Sequence, residues 1–158
     1  MPIEIERKFL VQGTSWRGMV KNGQKLRQGY LHSDGRCSVR VRLDNKQCSL
    51  TVKLGGSSLR RHEFKLPISQ EEAENLIEAN VISNVIEKTR FVVNHNGNRW
   101  EIDEFHGPLD GLLLAEIELE DERTEFDVPE WIGHEVTDDP KFLNQNLAKL
   151  TAPPTASR

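Results

Sequence analysis

Charged and apolar residues alternate repeatedly along this chain, and the alternation begins almost at once, in Glu4-Ile5-Glu6-Arg7-Lys8-Phe9-Leu10. A β-strand points successive side chains to opposite faces, so Glu4, Glu6 and Lys8 share one face. Val39-Arg40-Val41-Arg42-Leu43 places two arginines on one face, and Leu50-Thr51-Val52-Lys53-Leu54 adds a lysine. The same period returns with Glu63 and Lys65, Lys88 and Arg90, Glu101 and Asp103, and with Glu116 and Glu118 between Ala115, Ile117 and Leu119. A wet outer face commonly mixes Ser, Thr, Asn and Gln with its charges. These faces select Arg, Lys and Glu instead, which points to a charged interior. Buried charge is costly unless it is paired or holds an ion, so such an interior suits a polyanion and a metal.

The pattern predicts strands over 3–10, 25–31, 38–43, 48–54, 60–66, 86–94, 98–105 and 113–120. Gly13-Thr14-Ser15-Trp16 reads as a turn with a short helix, and Asp44-Asn45-Lys46 and Asn94-His95-Asn96-Gly97-Asn98 as hairpin connections. Gly55-Gly56-Ser57-Ser58 reads as a flexible link. Ser69-Gln70-Glu71-Glu72 is a capping box signature, and helical spacing follows it, which predicts a helix over 70–79. After Pro129 the chain reads as irregular until Pro140, which opens a predicted helix over 140–149. Residues 1–150 then form one domain, and the tail 151–158 reads as disordered. The expected fold class is α+β, and closing the strands into a barrel would remove exposed edges and enclose the charged faces.

At 158 residues, with 36% hydrophobic and 29% charged content, one core is expected. The net charge of −4 argues against a general nucleic-acid binder, so no nucleic-acid partner is expected. No apolar run approaches a membrane span, and the N-terminus lacks a signal-peptide layout. Cys37 and Cys48 do not face each other in the likely hairpin register and read as free thiols, which favours the cytoplasm. The histidines show no zinc spacing, and Gly55-Gly56 does not continue into a P-loop. Trp16, Trp100 and Trp131 read as core or lid packing.

Glu4-Ile5-Glu6-Arg7-Lys8 resembles the ExExK signature of the CYTH superfamily, the triphosphate tunnel metalloenzymes. Gln28-Gly29-Tyr30-Leu31, Val39-Arg40-Val41-Arg42, Thr51-Val52-Lys53, Arg61-His62-Glu63, Glu87-Lys88-Thr89-Arg90, Trp100 to Phe105 and Ala115-Glu116-Ile117-Glu118-Leu119 resemble further blocks of that family in order, over residues 1 to about 150. The likeness is greatest to its short, single-domain bacterial branch. It implies an eight-stranded antiparallel β-barrel with a few flanking helices and a C-terminal plug helix. It also implies a small-molecule triphosphate substrate and Mg²⁺ or Mn²⁺.

Under that resemblance Arg40, Arg42, Lys53, Lys88 and Arg90 would cradle phosphate oxygens, with Lys8 beside the reacting phosphate. Glu116 and Glu118 would hold a substrate-bridging metal. Glu4 and Glu6 would hold or orient a second metal and the attacking water. Glu101 and Asp103 could equally be ion-pair partners of Lys88 and Arg90. Glu63 is followed by Lys65 where short bacterial members commonly carry a second acid, which puts the role of that strand in doubt. The expected activity is hydrolysis of inorganic tripolyphosphate. A thiamine triphosphatase, a class IV adenylyl cyclase and a non-catalytic polyphosphate or nucleotide-binding module are the alternatives. The oligomeric state, monomer or homodimer, is left open by the sequence.

Overall fold

The computed structural model describes residues 2–55, 57 and 59–156, without the side chain of Asn80. Two residues of the expected flexible link, Gly56 and Ser58, and the tail residues Ser157 and Arg158 lie outside the described residues. The expected strands form as β1 (Ile3–Val11), β2 (Gln24–Ser33), β3 (Cys37–Asp44), β4 (Cys48–Leu54), β5 (Arg60–Ile68), β6 (Ile86–His95), β7 (Asn98–Phe105) and β8 (Leu113–Glu118). Neighbours pair antiparallel in the order β5-β4-β3-β2-β6-β7-β8-β1. The sheet closes on itself through Ile3↔His62, Glu4↔Arg61 and Ile5↔Arg60, which makes an eight-stranded barrel.

β1 is the seam. Its first residues pair with β5, and the later part of the same edge pairs with a ninth strand, β9 (Ile132–Glu135), through Phe9↔Glu135 and Val11↔Ile132. The sequence pattern alone predicts irregular chain between Pro129 and Pro140. β9 is only four residues long and contains Gly133, so its own alternation is weak. The vacant edge of β1 decides its conformation, and a Cβ at Gly133 would sit 3.2 Å from the Leu10 carbonyl oxygen.

Apolar residues cover the outside of the barrel wall, where small structural additions bury them. Ile5, Phe9, Trp100, Ile102 and Ile117 pack with Trp16, from the 3₁₀ turn Ser15–Met19, and with Trp131. Trp100 meets Trp131 edge-on with ring centres 5.7 Å apart. α1 (Gln70–Asn80) lies across β2, β3 and β4 and packs Ala73 and Ile77 on Val41 and Cys48. It starts where the capping box predicts: Glu72 N donates to Ser69 Oγ at 3.0 Å, and Ser69 N donates to Glu72 Oε1 at 3.1 Å. Cys37 and Cys48 are free.

The continuous helix expected over 140–149 is not what forms. Pro140–Phe142 makes a 3₁₀ turn, Leu143 is extended, and α2 (Asn144–Leu147) is a single turn. The reason is packing. Phe142 and Leu147 are both fully buried against Tyr30, Ile86, Phe105 and Leu114. Five residues apart on one helix they would point about 140° away from each other, and the break at Leu143 brings both to the same side. The segment still closes one end of the barrel. Of the tail, Ala156 packs against the same cluster.

Gly29 faces α1 across β2, and a Cβ there would lie 2.4 Å from Val81 Cγ1. Gly29→Ala therefore has to displace the residue that ends α1, and overpacking of this kind costs about 1–3 kcal/mol. Urea unfolding of the variant should show that loss with an unchanged slope.

Candidate active site

The inward face of β1 carries Glu4, Glu6 and Lys8 into the barrel, as alternation requires. Lys8 Nζ donates to the Phe142 carbonyl oxygen at 3.0 Å and stands 3.6 Å from Glu116 Oε1. Glu4 is held by Lys53, with Nζ 3.3 and 3.2 Å from its two oxygens. Glu6 is 4.0 Å from Arg61 Nη2. The strand register sets Lys8 opposite Glu116 and Glu6 opposite Glu118. It also sets Glu101 opposite Glu116 and Glu63 opposite Lys53.

The cations of the neighbouring strands are each tied to a fixed partner. Arg40 Nη2 donates to Thr51 Oγ1 at 3.2 Å. The Arg42 guanidinium gives two hydrogen bonds to Gln28 Oε1, at 3.0 and 2.8 Å. Lys88 Nζ lies 2.8 Å from Asp103 Oδ2, and Arg90 grips the same carboxylate with both arms at 2.8 and 2.9 Å. Arg90 also reaches Glu101 at 3.3 Å. Together these groups surround one cavity. Its walls carry Lys8, Arg40, Arg42, Lys53, Arg61, Lys88 and Arg90, seven cations against the two carboxylates Glu6 and Glu116. That excess inside low-dielectric walls is a site for a compact polyanion.

A CYTH domain matches residues 2–150. The chain belongs to the CYTH domain family. It is 45% identical over 146 residues to an inorganic triphosphatase of Acetivibrio thermocellus, covering 92% of this chain and 93% of that one. An inorganic triphosphatase of Nitrosomonas europaea is 36% identical over 149 residues, covering 92% and 96%. The crystal structure of the inorganic triphosphatase NE1496 aligns with a TM-score of 0.66 at 34% identity, covering 91% of this chain and 96% of that one.

Several residues of this CYTH barrel were not singled out by sequence reasoning. Arg61 lines the cavity and was readable, since it precedes Glu63 by two on the same face. Gln28, Tyr30, Ser38 and Thr51 line it or bond to its cations, but neutral polar residues at period two carry no charge signal. Asn144 and Gln145 arrive from α2, where nothing in the sequence placed them. Conversely, Lys65 is exposed on β5 and does not line the cavity. Glu4, Glu63, Glu101, Asp103 and Glu118 stand beside the cavity wall rather than in it, and Asp103 is a buried ion-pair partner.

Electrostatics follow from this arrangement. Burial would raise the Asp103 carboxyl, yet Lys88 and Arg90 hold it far below the ordinary carboxylate range. Burial draws the Lys88 ammonium down from 10.5 to about 7, against the pull of Asp103 and with help from Arg90 and Arg42. Arg42 is likewise lowered by burial and by Arg40 and Arg90. Glu63 is lowered: burial opposes this, but contact with Glu4 and the charges of Lys53 and Arg40 prevail. Glu118 is raised, by burial first and then by Glu4, Glu6 and Glu101. Those four carboxylates repel one another, which is the electrostatic setting a divalent cation relieves. Among the described residues no three His, Cys, Asp or Glu side chains converge on one point. A divalent ion that prefers oxygen ligands fits here, because such an ion can take one or two carboxylates and complete its shell with phosphate and water.

Asp103→Ala would leave Lys88 and Arg90 buried without their shared partner, and breaking such a pair costs about 3–5 kcal/mol. Urea unfolding at neutral pH reads that loss. The pH dependence has a definite sign. Lys88 titrates at 10.5 when exposed and at about 7 when folded, so between these values the unfolded chain binds more protons and stability rises with pH. Asp103 contributes stability that is present above 3.8 and lost as the pH falls below it. Unfolding free energies measured from pH 7 to 10 should rise in the parent protein and rise less in Lys88→Met.

Proposed function

We propose that this protein is a metal-dependent inorganic triphosphatase, which hydrolyses tripolyphosphate to diphosphate and phosphate in the cytoplasm. The observation that carries the reading is the cavity with seven cations and two carboxylates, on a fold shared with proteins named inorganic triphosphatase. Water adds to the terminal phosphorus and loses a proton to solvent, the bridging P–O bond breaks, and its electrons leave with diphosphate.

Arg40, Arg42, Lys53, Lys88 and Arg90 grip the non-bridging oxygens, Arg with paired N–H groups and Lys as point charges. Lys8 neutralises the terminal phosphate and is aimed by its bond to the Phe142 carbonyl. Glu116 and Glu118 would hold one divalent ion with the substrate, and Glu4 and Glu6 would hold or orient a second. When bound, Mg²⁺ or Mn²⁺ supplies charge neutralisation and activation of water. Glu4 and Glu6 would orient the attacking water in line with the leaving diphosphate, and in-line placement is a large part of such catalysis. Arg90, locked by Asp103, needs no reorganisation as charge develops.

Tyr30 is the one aromatic side chain lining the cavity among the described residues. A thiamine ring or an adenine has little to stack on there, which favours an inorganic substrate over the thiamine triphosphatase and cyclase readings. Free thiols at Cys37 and Cys48 agree with a reducing compartment. No helix among the described residues is long and apolar enough to cross a membrane.

The test is phosphate release from tripolyphosphate, ATP and thiamine triphosphate with Mg²⁺ or Mn²⁺. Release from tripolyphosphate should be fastest, stop with EDTA, and fall at least about 100-fold in Glu6→Gln, the size of loss seen when one strong transition-state contact is removed. Binding of tripolyphosphate without turnover would instead mark a non-catalytic module.

A further inference from the structure

Asn144 sits at the start of α2, lines the cavity, and touches two of its walls at once. Its Oδ1 accepts from Lys88 Nζ at 3.0 Å and from Gln28 Nε2 at 3.0 Å. Gln28 is completely buried and accepts both arms of Arg42 on Oε1. The direction of every amide in this chain of bonds is fixed by chemistry. Arg and Lys only donate, so Arg42 forces the Gln28 oxygen toward itself and turns the Gln28 amide nitrogen toward Asn144. Lys88 and Gln28 then both require the Asn144 oxygen. The Asn144 Nδ2 group is left with no partner among the described residues, on a side chain that borders the cavity.

We propose that Asn144 is a positioning residue of the triphosphate site, one that aims Lys88 and, through Gln28, Arg42, while its free amide donates to a phosphate oxygen. This rests on the triphosphatase reading above. The C-terminal segment is then part of the binding surface as well as a stopper. Lys8 makes the same connection from β1, since its ammonium bonds the Phe142 carbonyl two residues upstream. Three cations of the cavity, Lys8, Lys88 and Arg42, are thus aimed by residues 142–144, and the cradle is complete only when that segment is docked.

Two variants separate this role from simple anchoring. Asn144→Asp keeps an oxygen for Lys88 and for Gln28, so the segment stays docked, but it replaces the free donor with an anion. Asn144→Ala removes both. Dissociation constants for tripolyphosphate in EDTA, KM and kcat with Mg²⁺, and melting temperatures should be measured for the parent and both variants. In Asn144→Ala the dissociation constant and KM should rise about tenfold, which corresponds to about 1.4 kcal/mol. Asn144→Asp should melt close to the parent and yet bind tripolyphosphate more weakly than Asn144→Ala. The effect of Asn144→Ala on binding should also shrink in a Lys88→Met background, because part of it acts through Lys88. Parent-like affinity in Asn144→Asp, with only the melting temperature lowered in Asn144→Ala, would overturn the proposal and leave an anchor. A parent protein that neither binds nor cleaves tripolyphosphate would overturn the triphosphatase reading itself.

Discussion

Mutual repulsion among cations packed into one narrow cavity is the constraint on which the rest of this structure depends. Two unit charges 4 Å apart interact by about 4 kcal/mol at an effective dielectric of 20, and seven positive groups share these walls. The barrel can close only because carboxylates are interleaved with them. Asp103 is the deepest, touching Lys88 and Arg90 together at 2.8 Å. Glu4 and Glu116 do the same for Lys53 and Lys8 nearer the seam. Where no acid is available, a neutral oxygen serves instead, as Thr51 does for Arg40 and Gln28 for Arg42.

This arrangement also explains why the apolar material lies outside. With the interior committed to charge, hydrophobic burial has to come from layers added to the outer wall. α1 supplies one, and Trp16 and Trp131 supply another. Among the described residues, the closed end of the barrel has an apolar interior, around Tyr30, Phe105, Phe142 and Leu147. The cavity wall is thus braced by ion pairs and hydrogen bonds that hold its cations in set directions.

Most of the barrel was legible in the chain because a charged interior writes an unusually plain period of two. Glu4, Glu6, Lys8, Arg40, Arg42, Lys53, Lys88, Arg90 and Glu116 could be placed on inward faces from spacing, and eight strands followed. What spacing could not give was the outcome of competition between local and distant preferences. β9 exists because β1 has a vacant edge, and residues 140–149 break at Leu143 because Phe142 and Leu147 must turn the same way. Gln28 and Asn144 were silent for another reason: a neutral amide becomes informative only when its donors are known. Lys65 shows the reverse, a charge in the right period that lies beyond the part of β5 paired with β1 and stays in solvent.

The seam strand has one more consequence, in time rather than in space. β1 precedes the other strands, yet its partners β8 and β9 come after all the rest of them, and Lys8 bonds to a carbonyl 134 residues further along the chain. During synthesis the strand bearing Glu4, Glu6 and Lys8 therefore waits, unpaired along the β8 side, until Leu113–Glu118 has emerged. Proteins dominated by such distant pairings fold in milliseconds to seconds. The alternating charges of β1 suit that wait, because a strand studded with Glu, Arg and Lys resists pairing with the wrong edge while the right one is still being made.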